Sequence, residues 1–175
     1  MLCRETAAPI LEIPWAVALE ALRAWEYTGR ARRGYFVEGL SGAQYIRAEA
    51  YAATIHGLEH PTDEVIWLAA QDPNQAWGKA LTHESGRQFT IVPGTVVALK
   101  RGVPIAVFER QGHTLRVFDE SALPLALAAF VSAFGKRTIF PAVKRLTVKQ
   151  WPEAATEALS AAGFKQVMLD HVLYR

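Results

Sequence analysis

Arginines and aromatic rings lie unusually close together in one short stretch of this sequence. Arg30, Arg32 and Arg33 are followed directly by Tyr35 and Phe36. Each guanidinium that neutralises a phosphate releases counterions and adds salt-dependent affinity for a nucleic acid. An exposed ring can stack on a base, at ~1–3 kcal/mol per base. The pattern predicts nucleic-acid contact by the three arginines and Tyr35. A solvated hairpin whose rings pack on a helix stays open, and Phe36 is predicted to be core.

A second pattern, His-Gly-Leu-Glu-His at residues 56–60, has the spacing of a zinc-protease signature. That chemistry needs two histidines one helical turn apart, with the glutamate between them as the base. Gly57 and Pro61 lie where a zinc-binding helix should be continuous, so we expect no regular helix across all five residues. The sequence therefore predicts a polar linker here and no metal site.

A loose series of cations in the last third of the chain is a further candidate for nucleic-acid binding: Lys136, Arg137, Lys144, Arg145 and Lys149. Lys144 and Arg145 are the pair that we single out, and Arg47 joins the candidates near the aromatic stretch. The alternative interpretation of the series is a solvated edge that prevents strand pairing. No phosphate-binding loop of the form G-x-x-x-x-G-K-[ST] is present, because Phe130 stands where the glycine before 135–138 should be. We expect no ATP hydrolysis from these residues.

Hydrophobic spacing predicts the elements that position these side chains. In the first part, apolar residues recur at three- and four-residue steps and predict a helix over 14–27, with Trp25 in its apolar stripe. A hairpin is predicted after it, with strands over 32–37 and 43–47 and a loop flanked by Gly39 and Gly42. A short helix follows and is expected to end at Gly57. A polar break then predicts a domain boundary, with domains at 1–58 and 59–175.

The second domain is predicted to be richer in strands. Alternating apolar residues and turn signals predict strands and helices in this order: strands 65–69, 95–99, 104–110 and 113–119, a buried helix 121–134 that begins at Ser121, a strand near 146–148, a helix 152–162 and a last strand 167–174. A turn is predicted at residues 72–74. The predicted fold class is α+β.

Composition places the chain among ordinary globular proteins. It has 175 residues, about half of them apolar (51%), and a formal net charge of +2, which permits nucleic-acid binding without demanding it. The single cysteine, Cys3, excludes an internal disulfide and fits a reducing compartment. The longest apolar run, 122–134, is shorter than the roughly 20 residues that a bilayer requires. We expect a cytoplasmic protein without a membrane segment.

A helix followed by a basic hairpin is how a winged-helix domain ends, although too few residues precede the helix to supply the rest of one. The run EYTGRARRGYFVEGLSGAQYI, residues 26–46, resembles the C-terminal region of large-helicase-related (Lhr-type) superfamily 2 DNA helicases, with Tyr45 where phenylalanine is commoner. Residues 67–78 and 94–118 are similar to two further stretches of that family. The family's L-E-R-G-G pattern is altered here to Glu109-Arg110-Gln111-Gly112.

The resemblance implies the end of a winged helix (helix plus wing) followed by a β-barrel-like α+β domain. The function implied is that of a non-motor DNA-binding and scaffolding module of an ATP-dependent helicase in DNA repair. Its partners would be DNA and the remaining helicase domains, and a homo-oligomer stays open. ATP and Mg²⁺ would belong to motor domains that this chain lacks, so no cofactor is expected here.

The resemblance also implies an alternative function. Some helicases of this kind are associated with the excision of bases from DNA, which makes a nucleotide-independent, uracil glycosylase-like domain the rival hypothesis. A carboxylate could then stabilise an oxocarbenium-like sugar once the base is flipped out. Asp170 is the only aspartate late in the chain and is the catalytic candidate. The alternative interpretation of Asp170 is a turn or edge position in the last strand.

Overall fold

The computed structural model describes residues 1–7, 13–72 and 75–175 and divides the chain into two compact units. The first unit comprises Met1–Thr62 and Pro73–Leu81, and the second comprises Asp63–Asp72 and Thr82–Arg175. Each unit is described by itself below. Two residues of the predicted 72–74 turn lie outside the described residues. Within the described part of the chain, no helix combines the length and apolar character needed to cross a membrane.

The first unit is a set of helices around a two-stranded hairpin. Its elements are α1 (Arg4–Ala7), α2 (Trp15–Tyr27), β1 (Ala31–Gly34), β2 (Gln44–Arg47) and α3 (Tyr51–Glu59). The predicted helix over 14–27 is confirmed, with Pro14 as its N-cap. Its last turn is closed by the Thr28 hydroxyl, which donates to the Ala24 carbonyl at 2.9 Å. Gly29 then takes a φ of +74° and turns the chain into the hairpin.

The face of α2 that carries Leu22 packs on the hairpin, where Leu22 forms a small core with Ala31 and Tyr45. Tyr45 also exchanges two backbone hydrogen bonds of 2.8 Å with Leu2, which ties the N-terminal segment to β2. Trp25 was predicted to belong to the same buried stripe, but 42% of it is exposed. The core of this unit is therefore small.

Two predicted boundaries in the first unit are wrong for identifiable reasons. The strand pairing of the hairpin ends at Gly34 and Gln44, because the Gln44 side chain takes over the hydrogen bonding of the next residues. The helix expected to end at Gly57 continues to Glu59, so four of the five residues from His56 to His60 are helical. It ends where Pro61 disfavours helical geometry at the preceding residue.

The second unit contains two open sheets and two helices. The elements are β3 (Val65–Ala69), β4 (Val96–Lys100), β5 (Val103–Glu109), β6 (Thr114–Val117), α4 (Leu123–Gly135), β7 (Arg145–Val148), α5 (Thr156–Ala161), β8 (Lys165–Val167) and β9 (Asp170–Tyr174). The first sheet is an antiparallel meander in the order β3-β4-β5-β6, and the second has the order β7-β9-β8. The α+β class is confirmed, and the described strands close no barrel.

Helix α4 is the centre of the core of the second unit. It is apolar nearly all round, as its sequence predicts, and it packs against the meander. Phe130 lies with Phe108 at a ring-centroid distance of 4.5 Å, and both are fully buried. Trp67 of β3 donates its indole N–H to the Ala126 carbonyl at 2.9 Å, so the ring is anchored to the helix. These contacts fix the sheet on the helix.

Two further predictions in the second unit need correction. The expected single strand over 167–174 is a hairpin, β8 and β9, which turns at Met168 with a φ of +55°. Helix α4 begins two residues later than predicted, and its N-cap is Ala122, which makes no side-chain capping hydrogen bond, rather than Ser121. Asp119 instead holds the turn that precedes the helix. The Asp119 carboxylate accepts from the Ser121 hydroxyl at 2.6 Å and from the Ser121 and Ala122 amides at 2.9 and 3.2 Å. The hydrogen bond from the Ser121 hydroxyl is the main cause that lowers the pKa of Asp119.

Glu109 is a buried carboxylate at the end of β5. It accepts hydrogen bonds from the Thr90 amide at 2.9 Å and hydroxyl at 3.1 Å, and it pairs with the Arg116 guanidinium at 2.8 Å. Burial alone would raise the pKa of Glu109, but the bonds from Thr90 and Arg116 outweigh burial and hold that pKa below its ordinary value of 4.5. Glu109 therefore ties the 90s loop to the β5–β6 hairpin as an anion.

We expect Glu109→Gln to lower the free energy of unfolding by about 1.5–3 kcal/mol at pH 7, the worth of a hydrogen bond to a charged group. Because the folded-state pKa is depressed, the stabilisation is present above pH 4.5 and is lost as the pH falls through the folded pKa. The difference between the variant and the parent should therefore shrink in acid. Urea unfolding followed by tryptophan fluorescence measures it. Exposed Glu120→Gln is the control, and a difference that did not change with pH would contradict the assignment.

Candidate nucleic-acid interface

The arginines of β1 lie on opposite faces of the hairpin. Arg32 pairs with Ile46 and Arg33 pairs with Tyr45, so alternation along the strand separates the two side chains. Arg33 lies on the face that packs on α2, where its Nε is 3.3 Å from the Glu26 carboxylate. Both arginines are exposed. The structure therefore presents the two charges in two directions, and one of them is paired.

The two aromatic residues after β1 have different environments. Tyr35 is 81% exposed at the start of the hairpin loop, which leaves its ring accessible. Phe36, which was predicted to be core, is only partly buried and contacts Tyr51 edge-on at 6.3 Å. The Phe36 ring folds back over Gly34, where a Cβ would lie 2.6 Å from its Cζ. Glycine at position 34 is thus needed for the close approach of this ring.

We call the hairpin of β1, β2 and the loop between them the wing (residues 31–47), and a buried amide holds its loop. The Gln44 Oε1 accepts from the amides of Phe36 and Val37 at 2.8 and 2.9 Å, and its Nε2 donates to the Val37 carbonyl at 2.8 Å. Gln44 itself is fully buried. Both polar atoms of its amide group therefore serve to bind the loop of the wing to the start of β2.

The tip of the wing is also tied to α1. The Glu5 carboxylate accepts from the Ser41 amide at 3.0 Å and, through the same oxygen, from the Ser41 hydroxyl. Burial acts to raise the pKa of Glu5, but the hydrogen bonds, chiefly those from Ser41, outweigh burial and lower the pKa. Glu5 is therefore an anion that fixes the wing tip at neutral pH.

A groove of about 530 Å³ lies beside the hairpin, between the end of α2 and the end of β2. Trp25, Arg30 and Arg47 line it together with Gly29, Ala48 and Glu49. The Arg30 guanidinium stacks over the Trp25 ring at 5.0 Å from its centroid, and Arg47 pairs with Glu49 at 3.3 Å on the surface. The structure therefore brings Arg30 and Arg47 into one groove, and Arg32 does not line it.

Trp25 is the residue of this groove that sequence reasoning missed. Its spacing from Ala18 and Leu22 suggested core, but the buried face of α2 ends at Leu22. The available signal was its position in the last turn of a helix that is followed within five residues by Arg30. A tryptophan in such a place can serve as a stacking surface as well as core.

The candidates in the second unit lie far apart on one sheet. Arg145 begins β7 and pairs with Tyr174, whereas Asp170 begins β9 and pairs with Val167 at the other end of the strand. Asp170 and Tyr174 are four residue steps apart along the strand, about 13 Å. Lys144 is exposed at the Arg145 end, where its carbonyl accepts from the Arg175 amide at 3.2 Å. The sheet therefore joins these segments without bringing Asp170 to the two cations.

The histidines of the 56–60 pattern lie on α3 and contact one another. Their rings stack at a centroid distance of 4.5 Å, and the His60 Nδ1 is 3.1 Å from the His56 carbonyl oxygen. Among the described residues, no group of three or more His, Cys, Asp or Glu side chains is arranged to hold a metal ion. The absence of a metal site stays a prediction.

Comparison with known proteins gives matches for both units. Residues 1–64 match the winged-helix domain of the large helicase-related protein. A protein of Mycolicibacterium smegmatis, "Lhr helicase/ probable uracil glycosylase", is 35% identical over 124 residues. An Escherichia coli protein, "Lhr helicase/uracil glycosylase", is 31% identical over 118 residues. Each match covers 62% of this chain and 8% of the relative, so the chain spans a small part of these relatives.

The resemblance inferred from residues 26–46 is thus confirmed by a match that includes this segment. The hairpin of β1 and β2 follows helix α2, as the wing of a winged-helix domain follows its helix. Residues 1–64 thus form a winged-helix domain of the large-helicase-related type, and the two relatives support the similarity of this chain to the C-terminal region of Lhr-type helicases.

Proposed function

We propose that this chain is a DNA-binding and scaffolding module of an ATP-dependent helicase that acts in DNA repair. The observation that carries the proposal is the basic hairpin of a winged-helix domain, whose exposed cations Arg32 and Arg33 stand on a rigid support. In winged-helix proteins the wing contacts the DNA backbone or a neighbouring groove. ATP and Mg²⁺ would be used by the motor domains of the helicase, and this chain would bind neither.

Rigidity of the wing supports this proposal. A loop that is already ordered loses little conformational entropy when it binds, so more of the interaction energy appears as affinity. The Gln44 amide holds one side of the wing, and the Glu5–Ser41 contact holds its tip. The cations of β1 are therefore presented on a surface that needs little reorganisation.

The pairing of the arginines sets their expected order of importance. Arg33 must leave Glu26 to reach a phosphate, whereas no ion pair of Arg32 is found among the described residues. Arg33 is exposed and Glu26 is half-buried, so solvent still screens the pair, which is worth about 1 kcal/mol. Arg32 is thus expected to contribute more than Arg33, and both can contribute.

We expect Arg32→Ala combined with Arg33→Ala to weaken DNA binding and to reduce the slope of log affinity against log salt concentration by roughly two, because each phosphate contact contributes about one. Titration of labelled duplex DNA at several salt concentrations measures the slope. Lys165→Ala removes an exposed cation of the second unit and is the control. Glu26→Gln releases Arg33 and should strengthen binding at low salt. An unchanged slope in the double variant would remove the wing from the DNA path.

A second candidate function is nucleotide-independent excision of uracil, because the printed names of both relatives include a uracil glycosylase. Asp170 remains the catalytic candidate in this chain, with Lys144 and Arg145 proposed for the strand path. The separation of Asp170 from those cations does not favour a complete site in this chain. Binding is therefore the primary proposal.

We expect the 175-residue chain alone to release little or no uracil from single-stranded DNA. If release is seen, Asp170→Asn should abolish turnover and leave binding intact, because the amide keeps the shape and loses the negative charge that stabilises the sugar cation. Gel separation of cleaved uracil-containing DNA measures turnover, and anisotropy measures binding. Asp72→Asn is the control. Release that persists in Asp170→Asn would show that another residue is catalytic.

A further inference from the structure

We propose that the first unit holds a pocket for a single unpaired nucleobase, with Trp25 as the stacking surface and with Arg30 and Arg47 at its mouth. The inference rests on the proposed DNA-binding function and goes beyond it, because backbone contact by a wing requires no unpaired base. It assigns to this unit a binding site for single-stranded nucleic acid.

The pocket is a mainly apolar hollow of about 220 Å³ that adjoins the groove described above. Leu22 of α2, Ala31 of β1 and Ile46 of β2 line it together with Leu2. This volume is below the roughly 300–1,000 Å³ of sites for drug-sized ligands. The hollow therefore suits one small planar ring system.

The hollow and the groove share two residues, Trp25 and Arg47. The shared tryptophan places an aromatic wall on the apolar side, and the shared arginine places a cation on the polar side. A nucleotide has the same division, a flat base joined through a sugar to a phosphate. With the base in the hollow, the sugar and phosphate would lie in the groove, where Arg30 and Arg47 supply the charge.

The contacts of Trp25 explain why its ring is available for stacking. The ring is 42% exposed, although a tryptophan gains much from burial. Arg30 stacks over the ring at 5.0 Å and lines the groove but not the hollow, so it adds a cation beside the ring while a base would stack on the hollow side. Because every base has a π-face, a site of this kind should show little preference among bases.

The charge of the mouth favours a phosphate-bearing occupant. Two cations, Arg30 and Arg47, and one acid, Glu49, line the mouth, and Glu49 pairs with Arg47 at 3.3 Å. Both members of that pair are largely exposed, so the pair is weak and Arg47 can turn to a phosphate. An apolar side chain of a partner protein would fill the hollow and gain nothing from the two cations.

The test compares binding of the full chain to an oligothymidylate and to a strand of the same length and charge without bases. We expect the oligothymidylate to bind more tightly, and we expect Trp25→Ala to lose roughly 5- to 100-fold of that affinity, the worth of one stacked base. Trp25→Phe should restore most of the loss. Neither variant should change the slope of log affinity against log salt concentration, because stacking moves no charge.

The wing variant separates this inference from the function on which it rests. Arg32→Ala with Arg33→Ala should reduce the salt slope and keep the preference for a strand with bases. Equal binding of the strands with and without bases would overturn the pocket, and so would Trp25→Ala that binds as tightly as the parent. If the double arginine variant still reduced the salt slope, the proposed function would stand. No binding of any DNA would overturn both. Thermal unfolding of each variant checks that it is folded. If Trp25→Ala is unfolded, the affinity of Trp25→Leu and the comparison of the two strands test the pocket instead.

Discussion

The wing depends on one buried amide. Gln44 offers an acceptor and donors at fixed positions, and it satisfies two backbone amides and one carbonyl of a loop that has no strand partner there. An unsatisfied buried polar group costs about 1–3 kcal/mol, so replacement of Gln44 by an apolar residue would leave several such groups without partners. A carboxylate could accept but could not donate to the Val37 carbonyl. The presentation of the wing cations therefore follows from the chemistry of this side chain.

The cations of the first unit differ in how freely they can meet a phosphate. Arg33 pairs with Glu26, Arg47 pairs with Glu49, and Arg30 stacks on Trp25. All three arginines are exposed, so salt screens these contacts and each arginine can exchange its contact for a phosphate at a small cost. The acids keep the net charge of the chain low while the arginines remain in place. A near-neutral formal charge of +2 is thus compatible with a basic binding surface.

Much of this fold could be predicted from the sequence, because hydrophobic period and turn residues act locally. The helix over 14–27, the hairpin and the strands of the meander followed from such signals. The end of the hairpin pairing did not, because it depends on a side chain that replaces strand hydrogen bonds. The last hairpin was predicted as one strand, since Met168 takes a positive φ that favours glycine and gives no turn signal. The candidate cations could be named from the sequence. The groove around Trp25 could not be predicted, because it forms only when α2 packs on the two strands of the hairpin.

Strand register decides which side chains of the second sheet can act together. In the antiparallel pair of β7 and β9, residues at the start of one strand lie opposite the end of the other, so Arg145 and Asp170 are at opposite ends. Lys149, which follows Val148, is at the Asp170 end of the sheet, because Val148 pairs with His171. A carboxylate and a phosphate-binding cation can serve one nucleotide only when they lie at the same end of the sheet. Strand register thus does not favour joint action of Asp170 with the cations at 144 and 145 on one nucleotide.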